Sequence, residues 1–114
     1  MCSKAALDAI TERVCAASKE ALGGKLEKVL LFGSYARGDY DDESDVDIFV
    51  LADIPPEAAR GICSQIGRLV GWLELEYDVV ISIHVTCSRN FYEYRNVMPY
   101  YMNVINEGIE LSYA

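Results

Sequence analysis

Hydrophobic residues recur every three or four positions in two stretches, which is the spacing of one face of an α-helix. The first stripe is formed by Leu7, Ile10, Val14, Ala17 and Ala21. The second stripe is formed by Ala59, Ile62, Ile66, Leu69 and Leu73. Ser3 is a suitable N-cap for the first helix and Gly23-Gly24 ends it, while Pro55-Pro56 fits the first turn of the second helix. Two helices that each bury one face are therefore predicted.

Three apolar runs between turn-forming residues predict β-strands. They cover residues 28–32, 45–51 and about 78–86. The stretch 90–107 is predicted to be helical, with Pro99 starting or kinking a turn and Gly108 closing it. The apolar residues that follow, Ile109 and Leu111, indicate a last extended segment.

This order of elements predicts a small α/β or α+β fold in which helices pack against one sheet. The link between the first two strands is too short for a crossover helix, so a mixed sheet with parallel and antiparallel neighbours is expected. The order of the strands does not follow from the sequence. At 114 residues the chain can bury its own core, and residues 1–114 are expected to form a single domain.

The charge balance argues against a nucleic-acid-binding protein. Ten Lys and Arg against eighteen Asp and Glu give a net charge of −8, whereas nucleic-acid binders need a basic face. The four cysteines form no CxxC pair and His84 is the sole histidine, so a zinc site is not expected. The chain has no signal-like N-terminus and no apolar run long enough for a membrane, which makes a reducing cytoplasm the expected compartment.

Two aspartates carry the clearest sign of chemistry. Asp45 and Asp47 stand two apart on a predicted strand, so their side chains project from the same face. Carboxylates placed in this way repel each other unless a cation lies between them. Mg²⁺ prefers such oxygen ligands and accepts further oxygens from substrate phosphates.

A phosphate-binding turn is predicted directly upstream of these aspartates. Gly33 and Ser34 end the preceding strand and open a short helical turn, where backbone N–H groups favour an anion. Arg37 is placed to contact a phosphate oxygen, with pairing to nearby acidic residues as the alternative. Phosphate-binding groups and metal ligands would thus meet at the ends of adjacent strands, as nucleotidyl transfer requires.

The joint pattern resembles a known superfamily. Gly-Ser, ten intervening residues that include Ala-Arg-Gly, and then Asp-x-Asp, flanked by hydrophobic strands, are similar to the DNA polymerase β-type nucleotidyltransferases. The chain looks most like the minimal nucleotidyltransferases, small stand-alone prokaryotic domains, and the C-terminal PYYMNVINEGIEL is also similar to members of this group. The resemblance implies their fold. It also implies Mg²⁺-dependent transfer of a nucleoside monophosphate, with AMP from ATP expected, to a hydroxyl acceptor.

The resemblance also implies roles for individual residues. Gly33 and Ser34 would hold the terminal phosphates with help from Arg37, and Asp45 and Asp47 would ligate two Mg²⁺ ions.

A third carboxylate on a later strand usually completes the site in this superfamily, as a base or a ligand of the catalytic metal. Asp78 is the candidate, because it opens the predicted third strand; an ordinary strand-start acid is the alternative. Ser82 and His84 occupy other positions on that strand, and His84 is interpreted as a packed or surface histidine rather than a catalytic one.

The resemblance further suggests a partner. Similar domains are paired with a helical HEPN-type protein as toxin and antitoxin, and adenylylate the partner on tyrosine. The alternatives are a nucleotide- or partner-binding module without turnover, and transfer to a small molecule as in aminoglycoside-modifying relatives. A homodimer is left open.

Overall fold

The computed structural model describes residues 3–41 and 44–111, and its first element is helix α1, Lys4–Leu22. Its N-cap is Ser3, whose hydroxyl accepts a hydrogen bond of 3.1 Å from the Ala6 amide. At the other end, the chain leaves the helix at Gly23, where φ is +57°. The predicted start and end of the first helix are confirmed.

Among the described residues, four strands form one sheet: β1 (Leu26–Phe32), β2 (Val46–Ala52), β3 (Ile81–Cys87) and β4 (Ile109–Glu110). The described part of the chain also contains the helices α2 (Ser34–Arg37), α3 (Ala59–Tyr77), α4 (Ser88–Tyr94) and α5 (Pro99–Glu107). The second hydrophobic stripe lies in α3, which follows a short 3₁₀ turn, Pro56–Ala58.

The sheet is mixed, as the short link between the first two strands predicted. Its order is β3-β2-β1-β4. Strand β1 is antiparallel to β2 and to β4, whereas α3 carries the chain back so that β3 runs parallel to β2. Among the described residues β3 is therefore an edge strand, next to the strand that carries Asp47.

The prediction that the third strand begins near residue 78 is wrong. Helix α3 continues to Tyr77, and Asp78 is its C-cap with φ of +52°. Aspartate tolerates this left-handed conformation better than most residues, and the strand begins only at Ile81. In the C-terminal region, Pro99 starts a second helix rather than kinking one, because a proline has no N–H for a helix interior.

The core lies on both faces of the sheet. Helices α1 and α3 cover one face, where Val29, Ile48 and Val50 are fully buried. Helices α4 and α5 cover the other face, where Phe49 packs against Phe91. Since side chains alternate along a strand, Asp47 projects from the same face as Phe49, toward α4 and α5.

Substitution of Phe49 by alanine is expected to destabilise the fold strongly. The ring is fully buried and contacts those of Phe32, Phe91, Tyr100 and Tyr101. Large-to-small changes of a buried phenylalanine cost about 3–5 kcal/mol. Urea unfolding at equilibrium measures this loss of stability. A loss below about 1 kcal/mol would mean that α5 moves to fill the space left by the Phe49 ring.

Candidate functional site

The turn after β1 brings the backbone against a carboxylate. Gly33 has φ of +75°, a conformation that side-chain-bearing residues rarely adopt. A Cβ atom built on Gly33 would overlap the Asp47 carboxylate. Glycine therefore fits both the backbone conformation and the approach of the Asp47 carboxylate to the end of β1.

Helix α2 begins directly at this turn. The Ala36 and Arg37 amides both donate to the Gly33 carbonyl at 3.1 Å, so they are already used within the turn. The Ser34 amide and hydroxyl have no partner among the described residues. Ser34 thus keeps the two donors that the sequence predicted for a phosphate.

Asp45 and Asp47 come together at the start of β2. Asp45 is exposed and directly precedes the strand, whereas Asp47 is half-buried and lies between Phe32 on β1 and Ser82 on β3 in register. Burial and the charge of Asp45 raise the pKa of Asp47, against the smaller opposing effects of His84 and Arg37. The ionised pair is electrostatically unfavourable by itself, and a cation would relieve this.

Arg37 lies at the opposite end of α2 from Ser34. Its guanidinium donates to Glu107 Oε2 at 2.9 Å and to Asp39 Oδ2 at 3.2 Å. These two hydrogen bonds raise the pKa of Arg37. The alternative of pairing with acidic neighbours is therefore realised here, and a phosphate would compete with these carboxylates.

Glu107→Gln is expected to tighten nucleotide binding if Arg37 contacts phosphate. The substitution removes one competing carboxylate and leaves a neutral side chain of the same size. Calorimetric titration with Mg-ATP should give a Kd several-fold lower than that of the native chain. Glu110→Gln, the same change on β4, is the control. Equal affinities for Mg-ATP in all three chains would show that Arg37 does not contact the phosphates.

Asp78 does not join the aspartate pair. It caps α3 and is exposed, and the described residues contain no group of three His, Cys, Asp or Glu side chains placed to hold one metal ion. The structure thus brings Asp45 and Asp47 together without the third carboxylate that the sequence suggested.

The residues of β3 that project toward this site carry no carboxylate. Ser82 pairs in register with Asp47, and His84 pairs with Phe49. The His84 ring centroid lies 5.6 Å from that of Phe32 and 5.5 Å from that of Tyr100. His84 is thus packed, as interpreted from the sequence, yet close enough to Asp47 to affect its pKa.

Sequence reasoning missed the contribution of α5 to the site. The Tyr100 hydroxyl is buried without a hydrogen-bond partner among the described residues, and burial together with the nearby Asp47 raises its pKa. Glu107 of the same helix binds Arg37. Both lie in the C-terminal PYYMNVINEGIEL segment, but helical spacing alone does not indicate which tyrosine of the Tyr100-Tyr101 pair faces the sheet.

The donors present fit Mg²⁺. Two carboxylates provide hard oxygen ligands, as expected for an ion that keeps several waters and takes phosphate oxygens. Gly33 allows the β1 turn to lie against the Asp47 carboxylate. The buried Tyr100 hydroxyl adds a polar group that still lacks a partner among the described residues.

Cys15, Cys63 and Cys87 are free, Cys15 and Cys87 are buried, and burial raises the pKa of Cys15 to about 11. Cys2 lies outside the described residues. In the part of the chain that the structure describes, no helix combines the length and apolar character needed to span a membrane.

Residues 9–101 match the family model of the nucleotidyltransferase domain. The chain is also similar to two candidate protein adenylyltransferases of Methanocaldococcus jannaschii. It is 37% identical to MJ0604 over 81% of the chain and 84% of that protein. It is 46% identical to MJ0141 over 54% of the chain and 60% of that protein.

Solved structures share the fold. A candidate minimal nucleotidyltransferase superposes with a TM-score of 0.59 at 25% identity, covering 92% of both chains. A toxin–antitoxin structure with AMP-PNP superposes with a TM-score of 0.52 at 20% identity, covering 90% of this chain and 73% of the other. At this identity the second match supports the fold alone.

Proposed function

The chain belongs to the nucleotidyltransferase domain family, and from this premise we propose that it transfers AMP from Mg-ATP to a hydroxyl group of a partner protein. The aspartate pair beside the Gly33-Ser34 turn carries the proposal. MJ0604, the relative that matches over most of both chains, is a candidate protein adenylyltransferase, which favours a protein acceptor.

The proposed roles follow the positions of the side chains. Asp45 and Asp47 hold Mg²⁺, and Ser34 and Arg37 bind the phosphates of ATP. Bound Mg²⁺ offsets the negative charge that develops on the phosphates. The acceptor oxygen forms a bond to the α-phosphorus, the bond from this phosphorus to pyrophosphate breaks, and the acceptor proton passes to water. Asp78 is left outside this set because of its place at the end of α3.

A HEPN-type toxin is the proposed partner, with the chain as antitoxin. The fold shared with a toxin–antitoxin structure is consistent with this role. Exposed apolar side chains along and between α4 and α5 provide a surface suited to a protein partner. They are Tyr92, Tyr94, Val97, Met98, Met102 and Ile105.

The test uses α-labelled ATP, GTP, CTP and UTP with Mg²⁺ and proteins that co-purify with the chain. Native chain, the Asp45→Asn/Asp47→Asn double variant and Asp78→Asn are compared. Label is expected on a protein with ATP, and is expected to vanish in the double variant but persist in Asp78→Asn. Loss of labelling in Asp78→Asn as well would show that Asp78 takes part in the transfer.

The competing proposal is a module that binds nucleotide or partner without turnover. It is favoured by the lack of a third acidic side chain beside Asp45 and Asp47 among the described residues. No label with any nucleotide, together with Mg-ATP binding by a folded chain, would establish this alternative. In a parallel reaction with an aminoglycoside added, label on the aminoglycoside and on no protein would instead establish a small-molecule acceptor.

A further inference from the structure

The outer edge of β3 forms the floor of an open slot. The slot has a volume of about 460 Å³ and lies between Arg60 and Cys63 of α3 on one side and Met98 and Tyr101 on the other. Its floor includes Val85 and His84. Because β3 is an edge strand among the described residues, its outward backbone groups face this slot rather than another strand.

Hydrogen bonds identify which residues of β3 point outward. The Val46 amide on β2 donates to the Val80 carbonyl at 2.8 Å, so the groups of Val80 point toward β2. The backbone N–H and C=O groups alternate in direction along a strand, and therefore those of Ser82 and His84 also point toward β2. The backbone groups of Ile81, Ile83 and Val85 point away from β2, toward the outer edge of the sheet.

Helix α3 covers only the first half of this outward edge. The Ile81 amide donates to Glu74 Oε2 at 2.9 Å, and Cys63 Sγ lies 3.8 Å from the Ile83 carbonyl. No described residue pairs with the Ile83 amide or with either backbone group of Val85. These three groups face the slot, so an extended chain could bind them as a strand.

We propose that an extended peptide segment of the acceptor protein binds this slot by pairing with the Ile83–Val85 edge of β3. Unpaired N–H and C=O groups at strand spacing match a peptide backbone, as in other cases of strand addition. Among the described residues that line the slot, none is Asp or Glu and Arg60 is the one Lys or Arg, which favours an acidic residue in the peptide.

The slot borders the aspartate site. His84 and Tyr100 both line it, and His84 is two residues along β3 from Ser82, which pairs in register with Asp47. A peptide paired with β3 would therefore present one row of side chains beside His84, on the face from which Asp47 projects. The inference rests on the proposed function for its acceptor, but peptide binding can be measured without transfer.

The binding test is amide hydrogen exchange of the native chain, with and without a pool of short synthetic peptides that contain Glu and a central Tyr, Ser or Thr. No ATP is present, so turnover plays no part. In the free chain, Ile83 and Val85 amides should exchange faster than those of Ser82 and His84. Added peptide should slow exchange at Ile83 and Val85 alone. Val85 protection equal to that of His84 in the free chain, or no change on adding peptide, would overturn the proposal.

The functional test compares AMP transfer from labelled ATP to the same peptides. Val85→Pro removes the outward amide without breaking the ladder with β2, and should lower labelling about tenfold. Arg60→Glu reverses the charge of the slot and should lower labelling of Glu-containing peptides several-fold. Arg68→Glu is the matched control on the same helix. Equal labelling by all variants would overturn the proposal that the peptide binds in the slot. Slower amide exchange at Ile83 and Val85 without any labelling would overturn the proposed AMP transfer alone.

Discussion

Replacing Asp47 by asparagine is expected to lower the rate of nucleotidyl transfer while raising the stability of the metal-free chain. The substitution removes half of the aspartate pair that would hold Mg²⁺, and several kcal/mol of transition-state stabilisation correspond to a loss on the order of 10³-fold. Single-turnover transfer of labelled AMP measures this loss. Asp53→Asn, just beyond the other end of β2, should leave the rate unchanged.

The gain in stability follows from the raised pKa of Asp47. Below about 3.8, the ordinary pKa of the side chain, both folded and unfolded chains carry it protonated. As pH rises, the unfolded chain ionises first, so the native protein loses stability that the asparagine variant keeps. Thermal unfolding in EDTA should therefore give a higher Tm for Asp47→Asn at pH 7, and the difference should vanish below pH 3.8.

Mg-ATP should reverse this order. A ligand that binds only the folded state raises its stability, so the native chain should gain Tm while Asp47→Asn gains little. A variant that is less stable than the native chain at pH 7 in EDTA would show that Asp47 has stabilising partners in the folded chain. In that case, repulsion between Asp45 and Asp47 would no longer be a reason to expect a cation at this site.

The aspartate pair and the glycine turn could be predicted from sequence because each depends on local chemistry. Two carboxylates at a spacing of two share one face of a strand, and Gly33-Ser34 follows an apolar run. The mixed sheet could also be predicted, since the link between β1 and β2 excludes a crossover. These inferences need no information about distant parts of the chain.

Asp78 illustrates where local pattern fails. The sequence Tyr-Asp-Val-Val-Ile-Ser reads as the start of a strand, but the hydrophobic periodicity of α3 extends to Tyr77 and the aspartate is used as a C-cap. Tyr77, the last residue of α3, packs against the core between the helix and the sheet, a contact that the local pattern does not reveal. A shift of three residues was enough to remove this carboxylate from β3.

The contribution of α5 could not be predicted because it depends on the position of the last helix across the sheet. Tyr100 and Glu107 reach the site only when α5 packs beside Phe32 and Phe49. Two adjacent tyrosines have equal helix propensity, and only the packed structure distinguishes them. The position of β3 at the edge of the sheet, as far as the described residues show it, could likewise not be predicted, since strand order does not follow from the hydrophobic pattern.

Gly33→Ala is expected to reduce transfer on the order of 10²-fold, although Gly33 has no side chain that could bind metal or phosphate and its backbone N–H is retained in alanine. The new Cβ atom would overlap the Asp47 carboxylate, and a displacement of about 1 Å in an active site is sufficient for a loss of that size. Gly38→Ala is the matched control. Gly38 also has a positive φ, +87°, but a Cβ atom there would meet nothing within 4 Å.

The two variants separate backbone strain from displacement of the carboxylate. Both should lower the stability by about 1–3 kcal/mol through strain, whereas only Gly33→Ala should impair transfer and Mg-ATP binding. A double-mutant cycle with Asp47→Ala isolates the contact, because alanine at 47 leaves room for the new Cβ atom. Gly33→Ala should then cost less stability than in the native background. Equal costs in both backgrounds would mean that the turn moves away from Asp47 and that strain alone explains the glycine.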